Sequence, residues 1–230
     1  VDDAHMAARL SVYDERPALA LGSDLAVWSL DKHLSGPRSG FIAGRPDLIR
    51  QVRARAFAFG LEAQSGQVLA GLNAVRAFDP TKIRHAAAFA DRVFAELQPD
   101  LKGRAYMAGP GVAISGEDLV ELALQRSGCN TPGVTPIEAV AATALELLER
   151  VGAVTIPAVG MPGAACVYRL MTYPDGERLG LGPIVRGTRG ALDWLAEHIA
   201  DPEQVRHRVL GRADLSPRRA DSNASLRSPA

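Results

Sequence analysis

The sequence predicts an α/β protein in which a sheet layered with helices is followed by a smaller α+β unit. Residues 1–78 alternate short apolar runs of strand length with helical segments, an order that suits a sheet covered by helices. The chain has 230 residues, 47% hydrophobic and 23% charged, enough for one sizeable core or two small domains. We therefore expect part of a large domain over 1–78, a linking helix over 79–100, a small domain over 101–211 and a disordered tail over 212–230.

Four elements are predicted in the first part of the chain. The run Asp24–Leu30 is compact, apolar and partly aromatic, which indicates a strand, and Gly40–Gly44 indicates a second short strand. A helix is expected over Pro46–Phe57, because proline is favoured in a first helical turn and Leu48, Ile49 and Val52 supply apolar positions. A second helix is expected over Leu61–Phe78.

Asp79-Pro80 breaks the pattern, and an alanine-rich helix over Thr81–Leu97 is expected to follow. The run Thr135-Pro136-Ile137-Glu138 is a strong helix start, with Thr135 as N-cap and Glu138 closing a capping box, and this helix should reach about Val151. The other expected elements are a strand over Ala105–Ile114 interrupted at Gly109-Pro110, a helix over Glu117–Arg126, strands over Val154–Val159 and Ala165–Tyr173, and a helix over Gly190–Ile199.

Composition narrows the classes of function. The formal net charge is +0 and no dense basic patch is visible, so nucleic acid is not an expected partner. No run of 18 apolar residues occurs, so no membrane partner is expected. The two cysteines, Cys129 and Cys166, have no metal-ligand spacing, which favours a reducing, cytoplasmic setting without a bound metal. The chain starts at Val1 next to an apparent strand end, so we interpret it as N-terminally truncated.

Three short segments carry the chemistry: Val1–His5, Ser29–Lys32 and Gly36–Gly40. Asp2 ends one predicted strand and Lys32 lies just past the end of another, and ligands collect at the carboxyl ends of strands in α/β sheets. A pyridoxal 5'-phosphate (PLP) site needs a lysine for a Schiff base with the cofactor aldehyde and a carboxylate for the pyridine nitrogen. We therefore expect Asp2 and Lys32 to face one pocket.

The motifs also resemble known families. The Asp-x-Ala-His pattern at residues 2–5 is similar to that of glycine hydroxymethyltransferases and aminolevulinate-synthase-type enzymes. The run Gly-Ser-Asp-Leu-Ala-Val-Trp-Ser-Leu-Asp-Lys-His-Leu-Ser-Gly-Pro-Arg-Ser-Gly-Phe-Ile-Ala-Gly-Arg at 22–45 more closely resembles the selenocysteine synthase-like family, which includes L-seryl-tRNA(Sec) selenium transferase. The resemblance covers roughly residues 1–75 and implies the aminotransferase-like fold (fold type I) of PLP-dependent transferases, with a homodimer or higher homo-oligomer.

The resemblance also implies roles for individual residues. Lys32 would form the Schiff base and act as the catalytic residue, and Asp2 would pair with the pyridine nitrogen. Ala4 would pack on the cofactor ring, His5 would contact its edge, and Ser29, three residues before the lysine, would bind the phosphate.

Arg169 and the segment Phe59–Ser65, which differs from the selenium transferases, bear on the substrate. Fold relatives often place an arginine where Arg169 occurs, to clamp a substrate carboxylate. At Phe59–Ser65 the arginines of the selenium transferases are missing and Glu62 is acidic, which disfavours an anionic selenium donor. We expect a small amino-acid-like substrate and a lyase that performs elimination, deamination or aldol cleavage. An aminotransferase or selenium-transferase-like enzyme, or a non-catalytic remnant of such an enzyme, remains open.

Overall fold

The computed structural model describes residues 1–3, 10, 12–155, 165–173 and 176–211. The described chain combines two small sheets with eight α-helices. In chain order the elements are a 3-10 helix Ala18–Leu21, β1 Leu25–Ser29, β2 Gly40–Gly44, α1 Pro46–Ala58, α2 Ser65–Arg76, α3 Thr81–Leu101, β3 Tyr106–Met107, β4 Gly111–Ser115, α4 Gly116–Ser127, α5 Pro136–Val151, β5 Val167–Met171, α6 Gly176–Leu179, α7 Leu181–His198 and α8 Pro202–Leu210.

The first sheet contains β1 and β2, which pair antiparallel with Leu25 opposite Gly44 and Ser29 opposite Gly40. Both strands were predicted, and β2 has the predicted bounds. Trp28 of β1 packs on Phe41 of β2 with ring centroids 5.1 Å apart. This pair of strands therefore forms a stable base for the loop that joins them.

Helices α1 and α2 follow this sheet and bury little of their own surface. No residue of α1 is buried, and α2 buries Gly71 and Ala74. The second helix is shorter than the predicted Leu61–Phe78, because it starts only at Ser65, where Gln64 and Gln67 form a reciprocal capping box. Polar capping thus sets the start of α2 more strongly than the apolar residues before it.

The second sheet has the order β3-β4-β5, with all neighbours antiparallel. Helices α4, α5 and α7 pack together beside it, and their apolar faces meet the inner residues of β4 and β5 in the main core. The residues of this core with the least exposure include Val93, Leu97, Leu119, Leu122, Ala139, Val140, Leu147, Leu195, Ile199 and Val205.

Helix α3 joins the main core to a smaller apolar cluster under the first sheet. Its first turn contributes Ile83 to the smaller cluster, which also contains Leu30, Leu34 and Ala74. Its later turns bury Val93 and other side chains in the main core. The predicted helix is confirmed and extends four residues further than expected, to Leu101, with Pro99 inside its last turn.

Other expectations change in detail. The helix predicted over Gly190–Ile199 begins nine residues earlier, at Leu181. Helix α8 was not predicted. Val154 and Thr155 lie in no strand, and residues 156–159 of that predicted strand lie outside the described residues, as does the tail 212–230. The division into two domains stays a prediction.

Candidate functional site

Residues 1–3 run beside β1 in the same direction. Asp2 forms a parallel bridge with Val27, flanked by hydrogen bonds from the Asp3 amide to Val27 O (3.1 Å) and from the Val27 amide to Val1 O (3.1 Å). Asp2 therefore lies on the chain segment next to the strand that leads to Lys32. Because the two segments run in the same direction, their carboxyl ends point to the same side of the sheet. This is the side where the sequence predicts the pocket.

The loop after β1 holds Lys32 between two buried leucines. Leu30 and Leu34 are each 5% exposed, whereas Lys32 between them is exposed. The Leu30 amide donates to Ser39 O (2.8 Å), and the Gly36 amide donates back to Leu30 O (3.0 Å). These contacts close the loop from Leu30 to Gly36 and leave the lysine on its outer side.

Gly36 closes the loop where no side chain fits. A Cβ at this position would lie 2.6 Å from Leu30 O, 2.9 Å from Leu30 Cβ and 3.1 Å from Ala74 Cβ. The loop backbone thus packs directly against α2 and against its own start. Glycine is required here by close approach rather than by an unusual φ.

Lys32 lines a cavity of about 440 Å³ built from distant parts of the chain. The Lys32 loop forms one side, the first turns of α3 form another, and the residues after β5 together with α6 complete it. The lining residues are Asp31, Lys32, His33, Leu34, Ser35, Lys82, Ile83, His85, Ala86, Thr172, Tyr173 and Glu177.

Two contacts join these walls. The rings of His33 and Tyr173 lie 4.2 Å apart, centroid to centroid, with their planes at 38°. The buried hydroxyl of Thr172 shares its proton between Ala86 O (2.7 Å) and Pro110 O (2.9 Å). The end of β5 is thereby tied both to α3 and to the Lys32 loop, so the cavity is a feature of the packed protein.

The charged groups in and near the cavity differ in whether they form ion pairs or hydrogen bonds. Asp31 lies 4.0 Å from Arg38 in an ion pair. Asp79, just before α3, accepts hydrogen bonds from the Thr81 hydroxyl (2.7 Å) and amide (2.9 Å), which hold the pKa of its carboxyl below the usual range. Among the described residues, no carboxylate forms an ion pair with Lys32 or Lys82. The cavity lining thus combines two lysines with the carboxylates of Asp31 and Glu177.

The structure brings only some of the predicted residues to this cavity. Lys32 lines it. Asp2, which pairs with Val27, and Ser29, which ends β1 opposite Gly40, are not among the lining residues. Ala4 and His5 lie outside the described residues. The cofactor-binding roles of all four, and the catalytic role of Lys32, stay predictions.

Arg169 lies on β5, opposite Ala113 of β4, and does not line the Lys32 cavity. Its Nη2 donates to Ala108 O (2.8 Å), and its buried Nε has no hydrogen-bond partner among the described residues. The segment Phe59–Ser65 also lies away from the cavity lining, so the acidity of Glu62 does not set the charge of this cavity.

Sequence reasoning missed Lys82, His85 and Tyr173. Lys82 lines the cavity together with His85, which is one helical turn away. The spacing of three residues directly after Asp79-Pro80 was the available signal, since residues three apart share a helix face. Tyr173 gave no signal, because its contact with His33 depends on the tertiary fold.

Two kinds of feature are absent from the described ranges. No helix in them is long and apolar enough to cross a membrane. Nor do three or more His, Cys, Asp or Glu side chains in those ranges come together as a metal site would require.

Comparison with known proteins gives consistent matches. Residues 106–180 match the family described as the UPF0425 C-terminal domain. A UPF0425 pyridoxal phosphate-dependent protein of Methanothermobacter thermautotrophicus is 37% identical over 214 residues, covering 92% of this chain and 54% of that protein. One of Methanococcus maripaludis is 35% identical over 182 residues, covering 77% of this chain and 46% of that protein.

The chain is also similar, at lower identity, to a selenium transferase. L-seryl-tRNA(Sec) selenium transferase of Rhizobium meliloti is 27% identical over 185 residues, covering 77% of this chain and 37% of that protein. The chain spans about half the length of the UPF0425 relatives it matches. It is thus a relative of the UPF0425 pyridoxal phosphate-dependent proteins and, more distantly, of the selenium transferases, which confirms the resemblance inferred from residues 22–45.

Proposed function

We propose that this chain is part of a PLP-dependent enzyme that acts on an amino-acid-like substrate, with Lys32 as the residue that binds the cofactor covalently. The observation that carries the proposal is the placement of Lys32. It is exposed at the wall of a cavity, lies between two buried leucines, and follows strand β1, whose Val27 pairs with Asp2. The names of the UPF0425 relatives, which describe them as pyridoxal phosphate-dependent, support the same cofactor for this chain.

The residues present fit the cofactor chemically. Its aldehyde requires a primary amine, and Lys32 supplies one without a carboxylate ion pair among the described residues. Its pyridine nitrogen requires a carboxylate, and Asp2 supplies one on the neighbouring parallel segment. The cavity volume of about 440 Å³ falls within the range of roughly 300–1,000 Å³ that is typical of small-molecule sites.

The bound cofactor would supply an electron sink for charge that develops at the substrate Cα. The chain's own residues would do the rest. Lys32 Nζ, once released by the substrate amine, would take or return the proton at Cα. The contacting rings of His33 and Tyr173 would hold the wall beside the lysine and limit the access of water.

We rank a lyase first, as the resemblance of the lysine region favours elimination, deamination or aldol cleavage. A transferase is the second candidate, and the 27% identity to L-seryl-tRNA(Sec) selenium transferase favours it. The proposal includes a homo-oligomer and a division of the chain near residues 78 and 101. Helix α3, which packs on both apolar clusters, supports the division, since it would link the two parts.

Lys32→Ala tests the cofactor assignment. The protein is incubated with PLP, reduced with borohydride and digested, and the modified lysine is identified by mass spectrometry. We expect the visible absorbance and the label at Lys32 in the wild type, loss of both in Lys32→Ala, and retention of both in the control Lys102→Ala. A label that persists in Lys32→Ala would refute the assignment, and a wild type that takes up no PLP would favour the remnant.

The reaction class requires a separate measurement. The PLP-loaded protein is supplied with D- and L-amino acids and with sugar amino acids, and released ammonia is measured with and without a keto acid. Ammonia release that needs no keto acid indicates a lyase. Transfer of nitrogen to the keto acid, without free ammonia, indicates an aminotransferase.

A further inference from the structure

One wall of the Lys32 cavity carries two side chains to which neither the fold nor the relatives give a role. Lys82 and His85 lie in the first two turns of α3 and both line the cavity. They are three residues apart and therefore share a helix face. Both are exposed, whereas Ile83 and Ala86 beside them are buried at 4% and 6% exposure. The helix is thus anchored by its apolar residues while Lys82 and His85 stay open to the cavity.

The position of this wall relative to Lys32 is fixed by packing. Ile83, next to Lys82, belongs to the same apolar cluster as Leu30 and Leu34, which flank Lys32 in sequence. On the other side, Ala86 O, next to His85, accepts the hydroxyl proton of Thr172 at 2.7 Å. Because interiors of this kind deform little, the backbone segments that carry Lys32 and Lys82 are held beside the same cavity.

The described carboxylates near this wall form no ion pair with Lys82. Asp31 is engaged by Arg38 at 4.0 Å, and Asp79 accepts the Thr81 hydrogen bonds and lines, together with Lys82, a neighbouring cavity of about 420 Å³. Glu177 is exposed on the opposite side, at the start of α6. Within the described part of the chain, Lys82 forms no ion pair. An anion entering the cavity would therefore meet an ammonium group without an ion pair among the described residues, with the Asp79 carboxylate near enough to interact with it electrostatically.

We propose that Lys82 and His85 bind the carboxylate of the amino-acid-like substrate, an inference that rests on the proposed function. With Lys32 occupied by the cofactor, Lys82 is the remaining lysine among the described lining residues, and His85 lies on the same helix face. The ammonium group supplies charge and the imidazole N–H supplies direction, a combination that suits a carboxylate. Arg169, expected in this role, donates to Ala108 O and lines no part of the cavity.

The scarcity of lysine makes a direct test possible. The chain has three lysines, so trace acylation followed by mass spectrometry reports each one separately. The PLP-loaded protein is acylated with sulfo-N-hydroxysuccinimide acetate in the presence of propionate, with propionamide and sodium chloride at matched ionic strength as controls. Lys102, at the far end of α3, is the internal reference. Neither propionate nor propionamide has an amine that would consume the reagent.

We expect propionate to slow the acylation of Lys82 by about threefold or more, the order expected for a partly exposed ion pair, and propionamide to leave it unchanged. Lys102 should be unaffected by either. In His85→Asn the protection of Lys82 should weaken, whereas the control Arg84→Met, a cationic neighbour that does not line the cavity, should keep it. Equal acylation of Lys82 with and without propionate would overturn the proposal.

Adding PLP before propionate shows whether the anion bound at Lys82 is the cofactor phosphate or a carboxylate. If PLP alone protects Lys82 and propionate adds nothing, the wall binds the cofactor phosphate and the proposal is wrong. The failure of the proposed function is visible separately, as the absence of a borohydride-stable label at Lys32. A label at Lys32 without propionate protection of Lys82 rejects only the carboxylate site.

Discussion

Replacing Gly36 by alanine tests whether the Lys32 loop is positioned by close backbone packing. The added methyl group would lie 2.6 Å from Leu30 O and 3.1 Å from Ala74 Cβ. Carbon atoms in contact prefer about 3.5–4.0 Å, so the loop must move away from α2 or from its own start. Neither obstacle is the flexible end of a long side chain, and relief therefore requires a shift of backbone.

The magnitude follows from what overpacking costs in other cores, about 1–3 kcal/mol. We expect Gly36→Ala to lower the free energy of unfolding by about 2 kcal/mol, which lowers the ratio of folded to unfolded protein roughly 30-fold. The displaced loop should also weaken the attachment of PLP at Lys32. Gly66→Ala is the matched control, because nothing lies within 4 Å of its added Cβ. As an open position inside α2, it should gain up to about 1 kcal/mol.

Urea unfolding read by Trp28 fluorescence reports on this region, since Trp28 packs on Phe41 of the same sheet. A Trp194→Phe background removes the only other tryptophan. The reasoning is refuted if Gly36→Ala unfolds at the wild-type urea concentration and takes up PLP at the wild-type rate. A destabilised Gly66→Ala would equally show that an added Cβ has effects that this geometry does not capture.

Two further predictions concern single hydrogen-bonded groups. Thr172→Val removes the hydroxyl bond to Ala86 O and should cost about 1 kcal/mol in thermal unfolding together with weaker PLP uptake. Thr143→Val, which loses a buried hydroxyl bond within α5, should cost a similar amount and leave PLP uptake unchanged. Hydrogen bonds from Thr135, its amide first, lower the pKa of Glu138, so Glu138 stabilises the fold above about pH 4.3, and this contribution is lost as pH falls through the lowered pKa. Urea unfolding at a series of acidic pH values should show this loss in the wild type and not in Glu138→Gln.

Local signals in the sequence predicted local structure well. The capping box is present as expected, with the Thr135 amide donating to Glu138 Oε2 at 2.8 Å, because both partners lie within four residues. The start of α7 was missed, since Gly180, Gly182 and Pro183 suggest a loop. Proline is tolerated in a first helical turn, and burial of Ile184 and Val185 in the main core supports the helix.

The residues of the candidate site also differ in whether local sequence or tertiary packing determines their position. Lys32 could be predicted because its neighbours in sequence form a recognisable pattern, and its role stays a prediction. Lys82 could not be assigned, because its place beside Lys32 depends on the packing of Ile83 against Leu30 and Leu34, residues about fifty positions earlier. Periodicity shows which face of α3 is apolar but not which surface that face will meet.

The contact between His33 and Tyr173 also has a consequence for how the protein is made. The loop that carries Lys32 is synthesised about 140 residues before Tyr173, whose ring contacts that of His33 in this loop. At 5–20 residues per second this is a delay of roughly 7–28 s. Throughout that interval the loop and the first turns of α3 can form, while the opposite wall does not yet exist. The cavity is therefore completed late in synthesis, and cofactor present earlier would meet a lysine without its pocket.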